Sequence, residues 1–247
     1  MRHLILTDIH ANLEALDACL EDALDRGYDD ILVLGDVVGY GADPNAVVER
    51  VRQLEPAAII RGNHDKVSCG LEAADGFNAV ARMAAYWTVT VLTDDNREWV
   101  AALPRGPVLV DQDVQICHGS PRDEDEYIFG PADARGAFAA IERAVCLFGH
   151  THYPAVFQWS GGIMEGVRVG GAIGPELELS PDVTYLVNPG SVGQPRDGDP
   201  RAAYAIVDVP AGRIEMVRLP YAVDIAQEKI RKAGLPDPLA DRLALGR

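Results

Sequence analysis

The chain has 247 residues, 48% hydrophobic and 24% charged, an ordinary globular composition long enough to bury a core without a disulfide or metal staple. Its 22 Lys and Arg against 38 Asp and Glu give a net charge of −16, which disfavours nucleic acid and anionic membrane surfaces as partners. A small phosphorylated ligand stays open, because a bound metal supplies local positive charge.

In chain order, residues 3–7 read as a short buried strand. Asn12 caps a helix to about Asp25, with Leu13, Leu16, Leu20 and Leu24 along one stripe. Residues 31–34 read as a strand ending at Gly35-Asp36. Asp43-Pro44 opens a second helix, and 57–60 form a third strand ending at Arg61-Gly62-Asn63-His64-Asp65. This β-α-β-α-β order implies parallel strands with polar residues at their carboxyl ends, where ligands of open α/β sheets sit.

Residues 66–103 read as a helical insert, with one helix from Ala79 past Trp87 and a second around 96–103. Residues 108–110 and 114–117 are expected strands, 133–143 a helix and 145–148 a strand. From 154 to 219 the segments are strand-like, 221–233 form an amphipathic helix, and the tail with Pro236 and Pro238 is expected to be loosely held. The resulting division is one domain over 1–220, insert included, with 221–247 as its C-terminal helix and tail. No apolar run of 18 residues occurs, and the N-terminal segment is too short for a signal peptide. The scattered cysteines (Cys19, Cys69, Cys117, Cys146) lack CxxC spacing and read as reduced thiols of a cytoplasmic protein.

Five of the six histidines fall in short Asp/Asn/Gly-rich segments at strand ends: Asp8-Ile9-His10, Gly62-Asn63-His64-Asp65, Cys117-His118-Gly119 and Gly149-His150-Thr151-His152. In extended backbone the i, i+2 pairs Asp8/His10 and His150/His152 would each point to one side. Asp8, His10, Asp36, Asn63, His118, His150 and His152 make seven donors, more than one tetrahedral ion takes. They suit two ions sharing a carboxylate, an arrangement that stabilises in-line displacement at phosphorus. The donors accept manganese, iron, zinc or nickel. Gly35, Gly62, Gly119 and Gly149 are expected to let the backbone turn sharply where strands end.

D-x-H, GD, GNHD, a lone HG and GHTH, in this order over residues 1 to about 210, resemble the calcineurin-like metallophosphoesterases. The resemblance implies a four-layer α-β-β-α sandwich with a dinuclear site. Asp8, His10 and His152 would hold one metal, Asn63, His118 and His150 the other, and Asp36 would bridge them. His64 would be the general acid beside the leaving group, with metal-bound hydroxide as nucleophile. Gly35–Gly41 (GDVVGYG) lacks the second Asp and the Arg of the GDxVDRG segment in protein Ser/Thr phosphatases and symmetrically cleaving dinucleotide hydrolases. It is closer to a small bacterial and archaeal group, some of whose members act on diadenosine polyphosphates.

The implied activity is phosphoester or phosphoanhydride hydrolysis on a small phosphorylated substrate such as a nucleotide. The alternatives are a phosphodiesterase on cyclic or aryl diesters, or a catalytically idle interaction scaffold. Four residues are candidates for substrate contact. Arg61 reads equally as a phosphate ligand or half of a surface salt bridge, and Arg196 is a cation near the Asn188–Ser191 turn. Arg82 and Tyr86, with Asn78, fall on one helical face of the insert, opposite a core face of Val80, Met83, Ala84 and Trp87. His3 and Asp65 read as structural, and the acidic run 123–126 as a solvated loop.

Overall fold

The computed structural model describes residues 1–172 and 174–247. The near-continuous apolar runs of the first two strands bury both faces, as parallel strands covered on two sides do. β1 (Arg2–Leu6) pairs in parallel with β2 (Asp30–Val33), and β2 with β3 (Ala58–Ile59). Helices α1 (Leu13–Arg26) and α2 (Pro44–Gln53) make the two crossovers. Asn12 caps α1 by accepting from the Ala15 amide at 3.2 Å.

The insert holds α3 (Asn63–Ser68), α4 (Ala79–Val91) and α5 (Asp94–Ala101). Beyond it come β4 (Val108–Leu109), β5 (Val114–Ile116), α6 (Pro131–Phe138) and β6 (Val145–Leu147). Then follow β7 (Ala155–Ser160), β8 (Ile163–Val169), β9 (Glu176–Glu178), β10 (Thr184–Asn188), β11 (Ala202–Asp208) and β12 (Arg213–Leu219). α7 (Val223–Lys232) and α8 (Asp237–Asp241) close the chain.

The strands form two six-stranded mixed sheets, ordered β3-β2-β1-β11-β12-β9 and β4-β5-β6-β10-β7-β8. Alternation along each strand divides the core. Ile5, Leu32 and Leu34 point between the sheets against Ile116, Leu147 and Val187. Leu4, Leu6 and Val33 point outward against Leu16 and Cys19 of α1 and Val47 and Val51 of α2. On the far side, Phe148 and Phe157 of the second sheet pack on Ala134, Ala137 and Phe138 of α6. The result is the α-β-β-α sandwich expected.

His3 joins the two sheets: its ring lies 2.5 Å from Asp30 and 3.2 Å from Asp111, which precedes β5. Cys19, Cys117 and Cys146 are buried and Cys69 half-buried, all four as free thiols. Among the described residues no helix is long and apolar enough to cross a membrane.

Two expectations fail here. The tail is packed: Leu239, Ala240 and Leu243 are buried with Ala226 and Ile230 of α7 against Tyr40, Ala81 and Ala84. The tail therefore covers the outer side of the GDVVGYG loop. In α4 the buried face is Ala81, Ala84, Ala85 and Thr88, whereas Met83 is 58% exposed. Small residues let α4 approach its neighbours closely, and the larger Met83 is left outside.

Candidate metal centre

The seven donors lie in loops that leave the carboxyl ends of β1, β2, β5 and β6, and at the start of α3. Main-chain bonds align these loops. The Asp8 amide donates to Gly35 O (3.1 Å), His10 to Asp36 O (2.9 Å), and Gly149 to His118 O (2.8 Å). The Asn188–Ser191 turn braces two of them. Asn188 Nδ2 donates to Gly149 O at 2.8 Å and Ser191 Oγ to Asp8 O at 2.8 Å.

The side chains converge by a different route from simple strand alternation. Asp8, His10, Asp36, His150 and His152 all have φ between 50° and 67°. Left-handed backbone at non-glycine residues costs about 1–3 kcal/mol each and concentrates at functional sites. Five such residues in one cluster are a strong structural mark of function. The glycines act differently too. Of Gly35, Gly62, Gly119 and Gly149, only Gly35 has a positive φ (+94°); the others serve close approach. A Cβ on Gly62 would sit 2.2 Å from Asp36 Oδ1, and one on Gly149 2.1 Å from Thr7 Oγ1.

Two donor groups result: Asp8, His10, Asp36 and His152, and Asp36, His118 and His150, the ligand atoms of each within 4.8 Å of one another. Asp36 belongs to both. Asn63 Oδ1 lies 3.3 Å from His118 Nε2, at the edge of the second group. Three rings turn Nδ1 to backbone carbonyls: His10 to Val38 O (3.2 Å), His118 to Leu34 O (2.8 Å) and His152 to Gln194 O (2.6 Å). Each carbonyl holds a proton on Nδ1, so Nε2 is the nitrogen turned inward, the one a metal ligand would offer. His10 Nε2 and His152 Nε2 are 3.0 Å apart. Two lone pairs at that distance repel unless a cation stands beside both. The donor set therefore fits metal ions.

The carboxylates are oriented the same way. Asp8 accepts from the His150 amide (3.1 Å) and Thr7 Oγ1 (2.9 Å), and Asp36 Oδ1 from the His64 amide (2.9 Å). Without cations the cluster is electrostatically strained. Burial, with the nearby Asp36 charge, pushes Asp8 up to about 7 against the pull of His118. Burial would raise Asp36 as well, but the His118 and His64 charges overcome it and hold Asp36 below the usual carboxylate range. Burial pulls His150 down to about 3. Burial opposes charge on His118 too, yet Asp36 and Asp8 lift it to about 10.

His64 stands on the rim of the first group. Its ring packs on Tyr40 (4.2 Å between centroids), Phe77 (4.5 Å) and His10 (4.9 Å). Its Nδ1 is buried without a hydrogen-bond partner. A Cβ on Gly39 would meet that atom at 2.5 Å, so the ring presses on the loop where other sequences carry the second Asp of GDxVDRG. Among the described residues no carboxylate forms a dyad with His64. Burial lowers His64 to about 4, against the Asp36 charge. Asp65 holds the loop instead, accepting from the Gly62 amide at 2.9 Å and the Val38 amide at 3.1 Å.

The substrate candidates separate. Arg61 is taken up by Glu124 through two contacts of 3.1 Å, the salt-bridge reading. Arg82 is exposed and donates to the carbonyls of Ala74, Asp75 and Phe77, while Asn78 caps α4. That face of α4 braces its own loop, and Tyr86 is an exposed surface residue on it. Only Arg196 reaches the cluster: its amide donates to His152 O at 3.4 Å, and its charge opposes protonation of His10 and His152. The acidic run is not merely solvated. Glu124 is buried, and Lys66 Nζ lies 2.6 Å from Asp125 and 3.4 Å from Glu124.

Sequence reasoning missed Tyr40, Phe77 and Tyr127. Tyr127 stacks on the His150 ring at 3.8 Å and on Phe129 at 5.2 Å. A cavity of about 210 Å³ opens beside His150, lined by Asn63, Val67, Phe77, Asp125 and Tyr127 among others. The aromatic pair two residues apart, just after a histidine motif, was the available signal.

A family model described as the calcineurin-like phosphoesterase superfamily domain matches residues 1–212. The chain belongs to this family. It is 38% identical, over 98% of its length and 97% of the relative's, to protein MJ0912 of Methanocaldococcus jannaschii. It is 26% identical to the phosphodiesterase YfcE of Escherichia coli, covering 84% of this chain and 88% of that one. The crystal structure of a metallophosphoesterase from Sphaerobacter thermophilus aligns over all of both chains with a TM-score of 0.88 and 41% identity. A calcineurin-like fold and a donor set suited to metal make this chain a metallophosphoesterase by family.

Proposed function

We propose that this chain is a dinuclear metal-dependent phosphohydrolase acting on small phosphorylated substrates, nucleotides foremost. The observation that carries the reading is Asp36, common to two groups of inward-facing donors. In this reading Asp8, His10 and His152 hold one ion, Asn63, His118 and His150 the other, and Asp36 both. Bound ions of this kind activate water for attack at phosphorus and neutralise the charge on the phosphoryl oxygens.

The chain's own residues supply position and protons. The carbonyls of Val38, Leu34 and Gln194 fix three imidazoles before substrate arrives, so little reorganisation is required during reaction. His64 is neutral at pH 7 by its burial, and the negative charge of a phosphate beside it would favour its protonated form. From the rim it gives that proton to the departing oxygen. Arg196 contributes charge from its place over Tyr40. The cavity between Phe77 and Tyr127 receives the leaving group, and its aromatic walls favour a nucleobase or aryl group over a phosphoprotein surface. The same walls favour a phosphodiesterase among the alternatives, as does the relative YfcE, which is named a phosphodiesterase.

The test is a substrate panel after the protein is stripped of metal and reloaded with manganese. The panel holds diadenosine tetraphosphate, cyclic nucleotides, an aryl phosphodiester and a phosphopeptide. Manganese-dependent turnover of the nucleotide or aryl diester, well above that of the phosphopeptide, is the expected result. No turnover above the metal-stripped protein for any substrate would refute hydrolysis, and dominant phosphopeptide turnover would refute the substrate class.

A further inference from the structure

Two cations stand beside the first donor group that none of the seven ligands uses. The guanidinium carbon of Arg196 lies 5.5 Å from the centroid of the Tyr40 ring, and that of Arg242 lies 6.0 Å from it. Tyr40 in turn packs edge-on against His10 at 4.7 Å. Both guanidinium groups are thus within one aromatic ring of the cluster.

Arg196 donates through Nη2 to Gln194 Oε1 at 3.0 Å, and its Nε is buried with no partner. Arg242 donates from Nε to a terminal oxygen of Arg247, the last residue described. Neither has an Asp or Glu partner among the described residues, in a chain with sixteen more acidic than basic residues. Burial, and the charge of Arg196 beside it, pull Arg242 below the usual guanidinium range. Two guanidiniums over one aromatic ring, without an Asp or Glu partner, suit a phosphate, which arginine grips through paired N–H groups.

Arg242 lies beyond residue 212, outside the segment that matches the family model. It reaches the site because Leu239, Ala240 and Leu243 are buried with Tyr40 and Ala81. The tail therefore brings to the rim a charge that the family segment does not encode.

We propose that Arg196 and Arg242 form a second anion subsite beside Tyr40, which holds one phosphate of an oligophosphate chain while another phosphate of that chain lies at the donor cluster. This rests on the hydrolytic reading above and narrows its substrate to molecules with more than one phosphate. The aromatic cavity opens beside His150 of the second donor group, and the chain lies between the arginines and that cavity.

The experiment is isothermal titration calorimetry of the full chain, manganese-loaded and metal-stripped, with inorganic tripolyphosphate, orthophosphate and ATP. Tripolyphosphate is expected to bind manganese-loaded protein at least about tenfold more tightly than orthophosphate. Arg242→Gln and Arg196→Gln should each weaken tripolyphosphate about tenfold, the scale of a charge-assisted contact. Arg242→Lys should keep part of the binding, and it stands in for Arg242→Gln if that variant does not fold. Arg97→Gln, a surface position of α5 paired with Asp94, removes the same charge without touching Tyr40 or the donors and should bind as wild type does. Tighter binding of ATP than tripolyphosphate assigns the subsite to nucleotides; equal binding assigns it to the inorganic chain. Equal affinity for tripolyphosphate and orthophosphate, or losses no greater than that of Arg97→Gln, would overturn the proposal. Binding is read apart from turnover. A silent substrate panel with tight tripolyphosphate binding removes the hydrolytic reading alone, and active hydrolysis without oligophosphate preference removes the subsite alone.

Discussion

The two halves of the donor cluster differ in what surrounds them. Around Asp8, His10 and His152 the rings are held by the carbonyls of Val38 and Gln194, and the rim is cationic, with Arg196 and Arg242 about Tyr40. Around Asn63, His118 and His150 the rim is aromatic and acidic. Tyr127 stacks on His150, Phe77 lines the cavity, and Asp125 O lies 3.2 Å from His150 Nε2. Since His150 Nε2 faces that carbonyl, Nδ1 is its nitrogen free of hydrogen bonds, opposite to the other three rings. In the proposed reading the asymmetry orients a substrate, with its anionic groups toward the arginines and its leaving group toward Tyr127. Asp36 is the element the halves share.

Removing the shared element should have the largest effect. Asp36→Asn takes charge from both groups at once and is expected to lose most activity and metal, by about 10³-fold or more in turnover. The fold should survive, since the core lies between and outside the sheets. Metal content and circular dichroism together check this, and a variant with full metal and near-wild-type turnover would break the comparison.

His64→Ala comes next. A general acid contributes typically ~10²–10⁴-fold. The variant should keep its metal and lose rate most with poor leaving groups, and least with a nitrophenolate. A loss independent of the leaving group would assign His64 a positioning role.

The aromatic half is sharpened by Tyr127→Ala. Base–aromatic stacking is worth about 1–3 kcal/mol. A rise of about tenfold in KM for a nucleotide substrate is expected, with a much smaller change for a methyl phosphodiester. Equal changes for both would place the leaving group elsewhere.

The smallest effect concerns Glu124. Burial raises its carboxyl, but the Arg61 and Lys66 contacts outweigh that and leave it below its ordinary value of 4.5. A lowered folded-state value adds stability that is present above the unfolded value and is lost as pH falls through the folded one. Glu124→Gln should therefore be destabilised by about 1–3 kcal/mol at pH 7, with the gap to wild type closing below pH 4.5. Chemical denaturation at pH 7 and pH 3.5 measures both, and a gap that widens at low pH would contradict it.

Much of this was legible in the sequence because it rests on short-range patterns. Apolar runs ending in Thr-Asp, Gly-Asp or Arg-Gly-Asn-His placed β1, β2 and β3 within a residue or two, and the same strand ends carry the donors. What was not legible depends on packing. Periodicity ranks Met83 as core because it is apolar, but α4 meets its neighbours through Ala81, Ala84 and Ala85, where only small side chains fit. The helix expected over 133–143 stops at Phe138, after a start fixed by Pro131 and by Asp133 accepting from the Gly130 amide. Arg61 and Arg82 were cations without visible partners in sequence, since Glu124 and the carbonyls of residues 74–77 reach them only in the fold. The left-handed backbone at Asp8, His10 and Asp36 has no composition signal, because aspartate and histidine also occur in ordinary turns. Arg242 meets Tyr40 across two hundred residues, a contact no local pattern encodes.

The central claim is that Asp36 joins two ions held by otherwise separate groups. Anomalous diffraction from crystals grown with manganese tests it most directly. The account predicts two peaks, one among Asp8, His10 and His152 and one among Asn63, His118 and His150, with an Asp36 oxygen on both. A single peak, or two of which only one touches Asp36, would contradict it.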